Sequence, residues 1–135
     1  MTRVLIVDDD PALREMLAII LTSEGYEVER ARDGMEAVAC LARGWRPAVM
    51  LLDVMMPVMD GVAVCEWVAA RLPAHERPRI VILSASIAPG VTIPLADAQL
   101  SKPFGVDAVL EIVQRFCVTL PNLHIPLPPV LPMTA

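Results

Sequence analysis

Polar side chains of chemically useful types stand directly after four short runs of this sequence that favour β-strands. Asp8 and Asp9 follow the first run, Asp53 the second, Ser84 the third and Lys102 the fourth. Open parallel sheets bind their ligands at the carboxyl ends of the strands. If the strand order brings these ends together, one edge of the sheet carries three carboxylates, a hydroxyl group and an ammonium group.

Charge decides what such a cluster can bind. Two carboxylates about 4 Å apart repel each other by about 4 kcal/mol at an effective dielectric constant of about 20, and one lysine cannot offset three of them. Mg²⁺ takes oxygen ligands and accepts only a few carboxylates, so it is the cation we expect. A lysine and a hydroxyl group beside Mg²⁺ suit a phosphoryl group, and an aspartate there can be its nucleophile.

Each of these residues has an ordinary explanation when it is taken alone. Aspartates after strands often cap helices, and Asp10, which precedes Pro11, is expected to do so. Ser84 alone suits a turn, and a single lysine is usually a surface charge. The joint pattern is much harder to obtain by chance than any one of its members.

Alternating strands and helices must position these residues. Strands are predicted at 3–7, 26–30, 48–52, 79–83 and 98–101. Three of these runs, 3–7, 48–52 and 79–83, are apolar apart from an initial arginine in two of them, which is typical of strands buried on both faces. Strand and helix alternate five times along the chain, so we expect an α/β fold with a parallel sheet and helices on both faces.

The sequence signals for the last two helices differ in clarity. The last helix is predicted from an apolar stripe at Val106, Val109, Leu110 and Val113. Where a fourth helix is expected, residues 87–95 contain two prolines and a glycine. That composition predicts a short or broken helix between the last two strands.

Composition excludes several classes of protein. The 135 residues are 56% hydrophobic with a formal net charge of −5, which argues against a disordered chain and against a nucleic-acid binder with a basic patch. No segment resembles a signal peptide or a membrane span, and three cysteines without metal spacing suit a reducing cytoplasm. Ten of the eleven basic residues are arginines, so Lys102 marks a position where a compact charge is needed.

Four stretches of the sequence share one pattern of apolar runs followed by the candidate site residues. They are Val4-Leu-Ile-Val-Asp-Asp-Asp10, Leu51-Leu-Asp-Val-Met-Met-Pro-Val-Met-Asp-Gly61, Ile80-Val-Ile-Leu-Ser-Ala85 and Leu100-Ser-Lys-Pro-Phe104. With these stretches the sequence resembles the receiver domain of two-component response regulators, the CheY-like family, over residues 1–118. Asp53 follows Asp9 by 44 positions, and Ser84 follows Asp53 by 31, which is family-like spacing. The resemblance implies the flavodoxin-like (βα)5 fold with strand order 2-1-3-4-5, an order that a known receiver protein also has.

The resemblance also implies a role for each residue of the cluster. Asp53 would be the phosphoacceptor, attacking a phosphohistidine of a partner kinase. Asp9 would bind Mg²⁺ directly, Asp8 largely through water, and Met55 through its backbone carbonyl. Ser84 would hydrogen-bond the phosphoryl group and Lys102 would pair with it, with a cis peptide bond after the lysine.

The sequence departs from the family pattern in three places. Gln99 stands where the family usually has an aromatic residue that moves inward with the switch. Ser84 and Lys102 are only 18 positions apart, which shortens the region of the usual dimer and output face. No effector domain is expected to follow, and residues 119–135 form a Pro-rich tail that is expected to be irregular.

These observations favour a cytoplasmic single-domain response regulator that is not an enzyme. It would accept phosphate from a histidine kinase or phosphotransfer protein and act on an unidentified protein as a switch or shuttle, with homodimerisation left open and no contact with nucleic acid or membranes. One alternative is a degenerate receiver that works as a constitutive protein-interaction module, as Gln99 suggests. A weaker alternative is a Mg²⁺-dependent phosphohydrolase with Asp53 as its nucleophile.

Overall fold

The sheet has five parallel strands in the order β2-β1-β3-β4-β5. The computed structural model describes residues 2–85, 93 and 95–117. This topology confirms the predicted fold class and strand order. The strands are β1 (Arg3–Val7), β2 (Glu27–Ala31), β3 (Val49–Asp53), β4 (Arg79–Ser84) and β5 (Ala96–Ser101).

Helices cover both faces of the sheet. They are α1 (Pro11–Ser23), α2 (Gly34–Ala42), α3 (Gly61–Arg71) and α4 (Val106–Cys117), with a short 3-10 turn at Ala74–Glu76. One face packs against α1 and α4, and the other against α2 and α3, so the sheet separates two apolar cores. No helix of the described part of the chain is long and apolar enough to cross a membrane.

Two predictions fall on parts of the chain that the structure does not describe. Most of the predicted short or broken helix at residues 87–95 lies outside the described residues, and so does the whole Pro-rich tail at 119–135.

Three aspartates begin helices, which separates capping acids from the acids of the cluster. Asp10, Asp33 and Asp60 each accept a hydrogen bond from a backbone amide in the first turn, at 3.0, 2.9 and 2.9 Å. Such caps satisfy amides that have no partner within the helix. The predicted role of Asp10 is therefore confirmed, and Asp8 and Asp9 remain free for the edge of the sheet.

β2, β3 and β4 differ from the predicted ranges by one residue at one or both ends, and larger differences occur in β5 and α4. β5 begins at Ala96 rather than Ala98, because pairing with β4 continues around an irregularity at Ile80/Val81. In α4 the buried residues are Val109, Ile112, Val113 and Phe116, whereas Val106 is 38% exposed. The buried face of α4 therefore leaves out Val106 and extends to Phe116 at the end of the helix.

Gly61 lies where α3 begins directly against the end of β3. Its amide donates to the Val54 carbonyl at 3.0 Å. A Cβ atom at Gly61 would lie 2.5 Å from the Asp53 carbonyl oxygen and 2.9 Å from the Val54 Cα. Both are backbone atoms, so the strand end itself would have to move.

We predict that Gly61→Ala lowers the free energy of unfolding by about 1–3 kcal/mol, the usual cost of overpacking. Gly105→Ala is the matched control, because a Cβ there meets nothing within 4 Å, and it should cost less than Gly61→Ala, at most about 1 kcal/mol for alanine directly before α4. Urea denaturation of both variants measures the difference. Equal stability of the two variants would contradict the close packing described here.

Candidate functional site

The predicted site residues lie together at the carboxyl edge of the sheet. Asp8 and Asp9 follow β1, Asp53 and Ser84 are the last residues of β3 and β4, and Lys102 follows β5. Because β1, β3 and β4 are adjacent strands, their ends converge. The strand order therefore brings the three acids, the hydroxyl group and the ammonium group to one edge.

The three acids form a compact group that could hold a metal ion. One carboxylate oxygen each from Asp8, Asp9 and Asp53 lie within 4.8 Å of one another. Asp8 is fully buried and Asp53 is 4% exposed, whereas Asp9 is exposed to solvent. Oxygen ligands of this kind are those that Mg²⁺ prefers, and the exposed acid leaves a route for an ion from solvent.

Asp8 is held from three sides. Its Oδ1 accepts from the Asp10 amide at 2.9 Å, and its Oδ2 accepts from Lys102 Nζ at 2.9 Å. Arg14 Nη1 donates to the Asp8 backbone carbonyl at 2.9 Å. Sequence reasoning missed Arg14. A usable signal was its place near the positive start of α1, where the helix dipole disfavours a cation that has no other partner.

Lys102 bridges the two buried acids. Its Nζ lies 2.9 Å from Asp8 Oδ2 and 3.4 Å from Asp53 Oδ2, and its side chain is 23% exposed. Burial works against the charged form, but the hydrogen bond and charge of Asp8, together with Asp53, outweigh burial and raise the pKa of Lys102. The lysine is therefore a fixed positive charge, and the peptide bond to Pro103 is cis, as the family resemblance implied.

Asp53 is an acid whose charge is disfavoured by its surroundings. Burial and then the neighbouring charge of Asp8 raise its pKa to about 6, although Lys102 acts in the opposite direction. The Met55 amide donates to Asp53 Oδ1 at 3.3 Å. This bond ties the Met55 backbone to the acid cluster, while the Met55 residue is 74% exposed.

Ser84 presents a buried hydroxyl group with no protein partner. Its Oγ is the one buried side-chain polar atom of the described residues that lacks a hydrogen bond. Buried polar atoms without partners are rare in native proteins, and they often await a ligand, ion or water. The Ser84 carbonyl accepts from the Lys102 amide at 2.7 Å, so serine and lysine are held side by side.

Two further features lie apart from this cluster. Gln99 is exposed on β5, opposite Ile82 of β4, and fills no apolar pocket there. A cavity of about 620 Å³ lies at the opposite, amino-terminal end of the strands, and its lining includes Arg3, Arg46 and Arg79. It contains none of the residues of the acid cluster.

Replacing Asp53 by asparagine should stabilise the protein at neutral pH. The pKa of Asp53 is raised from 3.8 to about 6 in the folded protein. Ionisation of this group therefore lowers the free energy of unfolding by its full amount above pH 6 and leaves it unchanged below pH 3.8. At about 1.4 kcal/mol per pKa unit, Asp53→Asn should gain on the order of 2–3 kcal/mol at pH 8 without divalent ions. The gain should fade progressively as the pH falls toward 4.

Denaturant titrations at pH 8 and pH 4.5 measure this difference. Asp107→Asn, an isosteric change at an exposed position in the first turn of α4, is the control and should show no such gain. A variant at position 53 that is no more stable than the wild type at pH 8 would contradict the electrostatic description.

Comparison with known proteins places the chain in a family. The model of the response regulator receiver domain matches residues 4–114. The response regulator MprA of Mycobacterium leprae is 40% identical over 115 residues, covering 83% of this chain and 49% of that protein. The chain spans about half the length of the curated relatives it matches.

Solved structures agree with this assignment. The chemotaxis protein CheY4 of Vibrio cholerae is 34% identical with a TM-score of 0.73, covering 86% of this chain and 98% of that one. The response regulator protein TrrA of Thermotoga maritima, solved in complex with Mg(2+)-BeF, is 30% identical with a TM-score of 0.75, covering 86% and 99%. This chain belongs to the response regulator receiver domain family.

Proposed function

We propose that Asp53 accepts a phosphoryl group from a phosphohistidine of a histidine kinase or phosphotransfer protein. The observation that carries this proposal is the surroundings of Asp53. A fixed ammonium group lies 3.4 Å away, two further acids lie within 4.8 Å, and the next strand ends in a buried hydroxyl group without a partner. This combination suits a group with a reactive phosphorus and several charged oxygens.

The transfer step exchanges one bond to phosphorus for another. An Asp53 carboxylate oxygen attacks the phosphorus, the P–N bond to the donor imidazole breaks, and the imidazole nitrogen keeps the electron pair and takes a proton from solvent. The product is an aspartyl phosphate and a neutral histidine. With a pKa of about 6, Asp53 is mostly ionised at pH 7 and so can act as the nucleophile.

The residues present fit Mg²⁺. Asp8, Asp9, Asp53 and the backbone carbonyl of Met55 would hold the ion, with Asp9 as a direct ligand and Asp8 acting largely through water. The surroundings of the two acids support this division, because Asp8 already accepts from Lys102 and Asp10 while Asp9 is exposed. When bound, the ion supplies positive charge that neutralises the phosphoryl oxygens in the transition state.

Ser84 and Lys102 would recognise the phosphorylated state. The Ser84 hydroxyl group gains from a phosphoryl oxygen the hydrogen bond that it lacks within the protein. Lys102 would exchange part of its contact with Asp8 and Asp53 for the phosphoryl group. Because the Lys102 amide is bonded to the Ser84 carbonyl, both movements would act on the loops that follow β4 and β5.

The output of the domain is proposed to be a phosphorylation-controlled interaction or the onward transfer of phosphate. Gln99 is exposed and has no ring with which to fill the pocket that an aromatic residue takes in the family switch, so we place the response in the Ser84–Lys102 pair. If the domain accepts no phosphate at all, the constitutive interaction module becomes the better explanation. Rapid multiple turnover without an adduct would instead indicate a phosphohydrolase.

We predict that a small acyl phosphate with Mg²⁺ adds one phosphoryl group to the wild-type protein, as measured by intact mass. Asp53→Asn should abolish the added mass, because the attacking carboxylate is lost, and the Asp107→Asn control should retain it. Omitting Mg²⁺ should slow the reaction by at least about tenfold. Absence of the adduct in the wild type would refute the proposed function.

We predict that Lys102→Arg folds normally but does not show the wild-type conformational response to phosphorylation. A planar guanidinium group cannot take the place of the compact ammonium that bridges Asp8 and Asp53. We expect the variant to accept the phosphoryl group, yet to lose the shift of the Ser84 and Ala85 amide signals that phosphorylation causes in the wild type. ¹H–¹⁵N correlation spectra before and after phosphorylation measure the shift of these signals. A shift as large as that of the wild type would contradict the need for a compact charge at position 102.

A further inference from the structure

The pairing of β5 with β4 contains one extra residue. Ile80 is opposite Ala96, but the next residue of β4, Val81, is opposite Ala98. Asp97 is therefore the additional residue of a bulge in β5. Bulges are rare between parallel strands, and in sheets generally they are frequent next to active sites, where they re-aim a side chain.

The carboxylate of Asp97 accepts a backbone hydrogen bond from β4 at the bulge. Its Oδ2 accepts from the backbone amide of Ile80 at 2.8 Å, so the buried strand keeps its hydrogen bond. Its Oδ1 accepts from Arg79 Nη1 at 3.3 Å. The Arg79 side chain is 46% exposed, which makes this ion pair weak, whereas a hydrogen bond from a backbone amide to a carboxylate is strong.

The pairing of β5 with β4 is offset by one residue at every position after the bulge. Leu83 is opposite Leu100 and Ser84 is opposite Ser101, and both leucines are buried in the same core cluster. Without the extra residue, Leu100 would stand opposite Ser84 and the alternate side chains would exchange faces. Lys102 would then be carried about 3.3 Å further along the strand direction, away from the acids that it now contacts.

We propose that Asp97 is a positioning residue, whose carboxylate holds the bulge that sets the register of β5 and so brings Lys102 to Asp8 and Asp53. It touches none of the reacting groups and acts through Lys102. The functional importance of this placement rests on the proposed function, but the placement itself does not. The two can therefore be tested separately.

Lys102 is the single lysine of the sequence, which allows its surroundings to be observed directly. Protein labelled with ¹³C at the lysine ε-methylene gives one side-chain signal, and in the wild type that signal should differ from that of free lysine. The Asp97→Ala variant lacks the acceptor for the Ile80 amide. In this variant we expect the lysine signal to move at least half-way to the position of free lysine. The signal does not depend on phosphorylation.

Two variants separate the amide bond from the ion pair. Asp97→Asn retains an oxygen acceptor for the Ile80 amide, so it should keep the wild-type signal. Arg79→Gln removes only the ion pair and should also keep it. If Asp97→Ala does not fold, Asp97→Glu makes the same comparison, because its longer side chain displaces the carboxylate from the Ile80 amide.

Phosphorylation kinetics add a second readout. Asp97→Ala should slow the reaction with acyl phosphate about tenfold in the wild-type background and by less than twofold in the background of Lys102→Ala, since Asp97 acts through the lysine. A general loss of structure would slow both backgrounds equally. An unmoved lysine signal in folded Asp97→Ala, or an equal shift in Asp97→Asn, would overturn the proposal. If the wild type takes no phosphoryl group, the proposed function fails while the lysine signal still decides the role of Asp97.

Discussion

Two buried carboxylates that share one ammonium group are the constraint on which this structure depends. Asp8 and Asp53 lie out of solvent at the ends of adjacent strands, where their mutual repulsion is screened much less than in water. Lys102 offsets part of this repulsion, but burial, followed by the charge of Asp8, still raises the pKa of Asp53. The apolar strands of the two cores keep both acids in place despite this cost.

The strand order explains why each residue type stands where it does. Ser84 ends β4, which adjoins β3, so a short hydroxyl side chain is sufficient next to Asp53. β5 lies two strands from β3, about 10 Å at the usual spacing, and only a long side chain crosses that distance. Lysine provides both the length and a compact charge, and the Asp97 bulge places its backbone where that length is enough.

Much of the fold and of the cluster could be predicted from the sequence, because both depend on local signals. Apolar runs ending in polar residues predict the strands, and Asp10, Asp33 and Asp60 precede helices that they cap. Other features depend on tertiary contacts. The contact of Arg14 with the Asp8 carbonyl, the bulge at Asp97 and the role of Phe116 in the core require knowledge of which strand or helix lies opposite, and a pattern of residue types does not contain it.

The central claim is that the phosphoryl group is carried by the Asp53 carboxylate. Borohydride reduction tests it most directly, because it converts an aspartyl phosphate to homoserine, which tandem mass spectrometry of the digested protein locates along the chain. After treatment with acyl phosphate and Mg²⁺, we predict homoserine at position 53 and unmodified aspartate at positions 8 and 9. Homoserine at position 8 or 9, or at no position in a protein that has gained a phosphoryl group, would contradict the account.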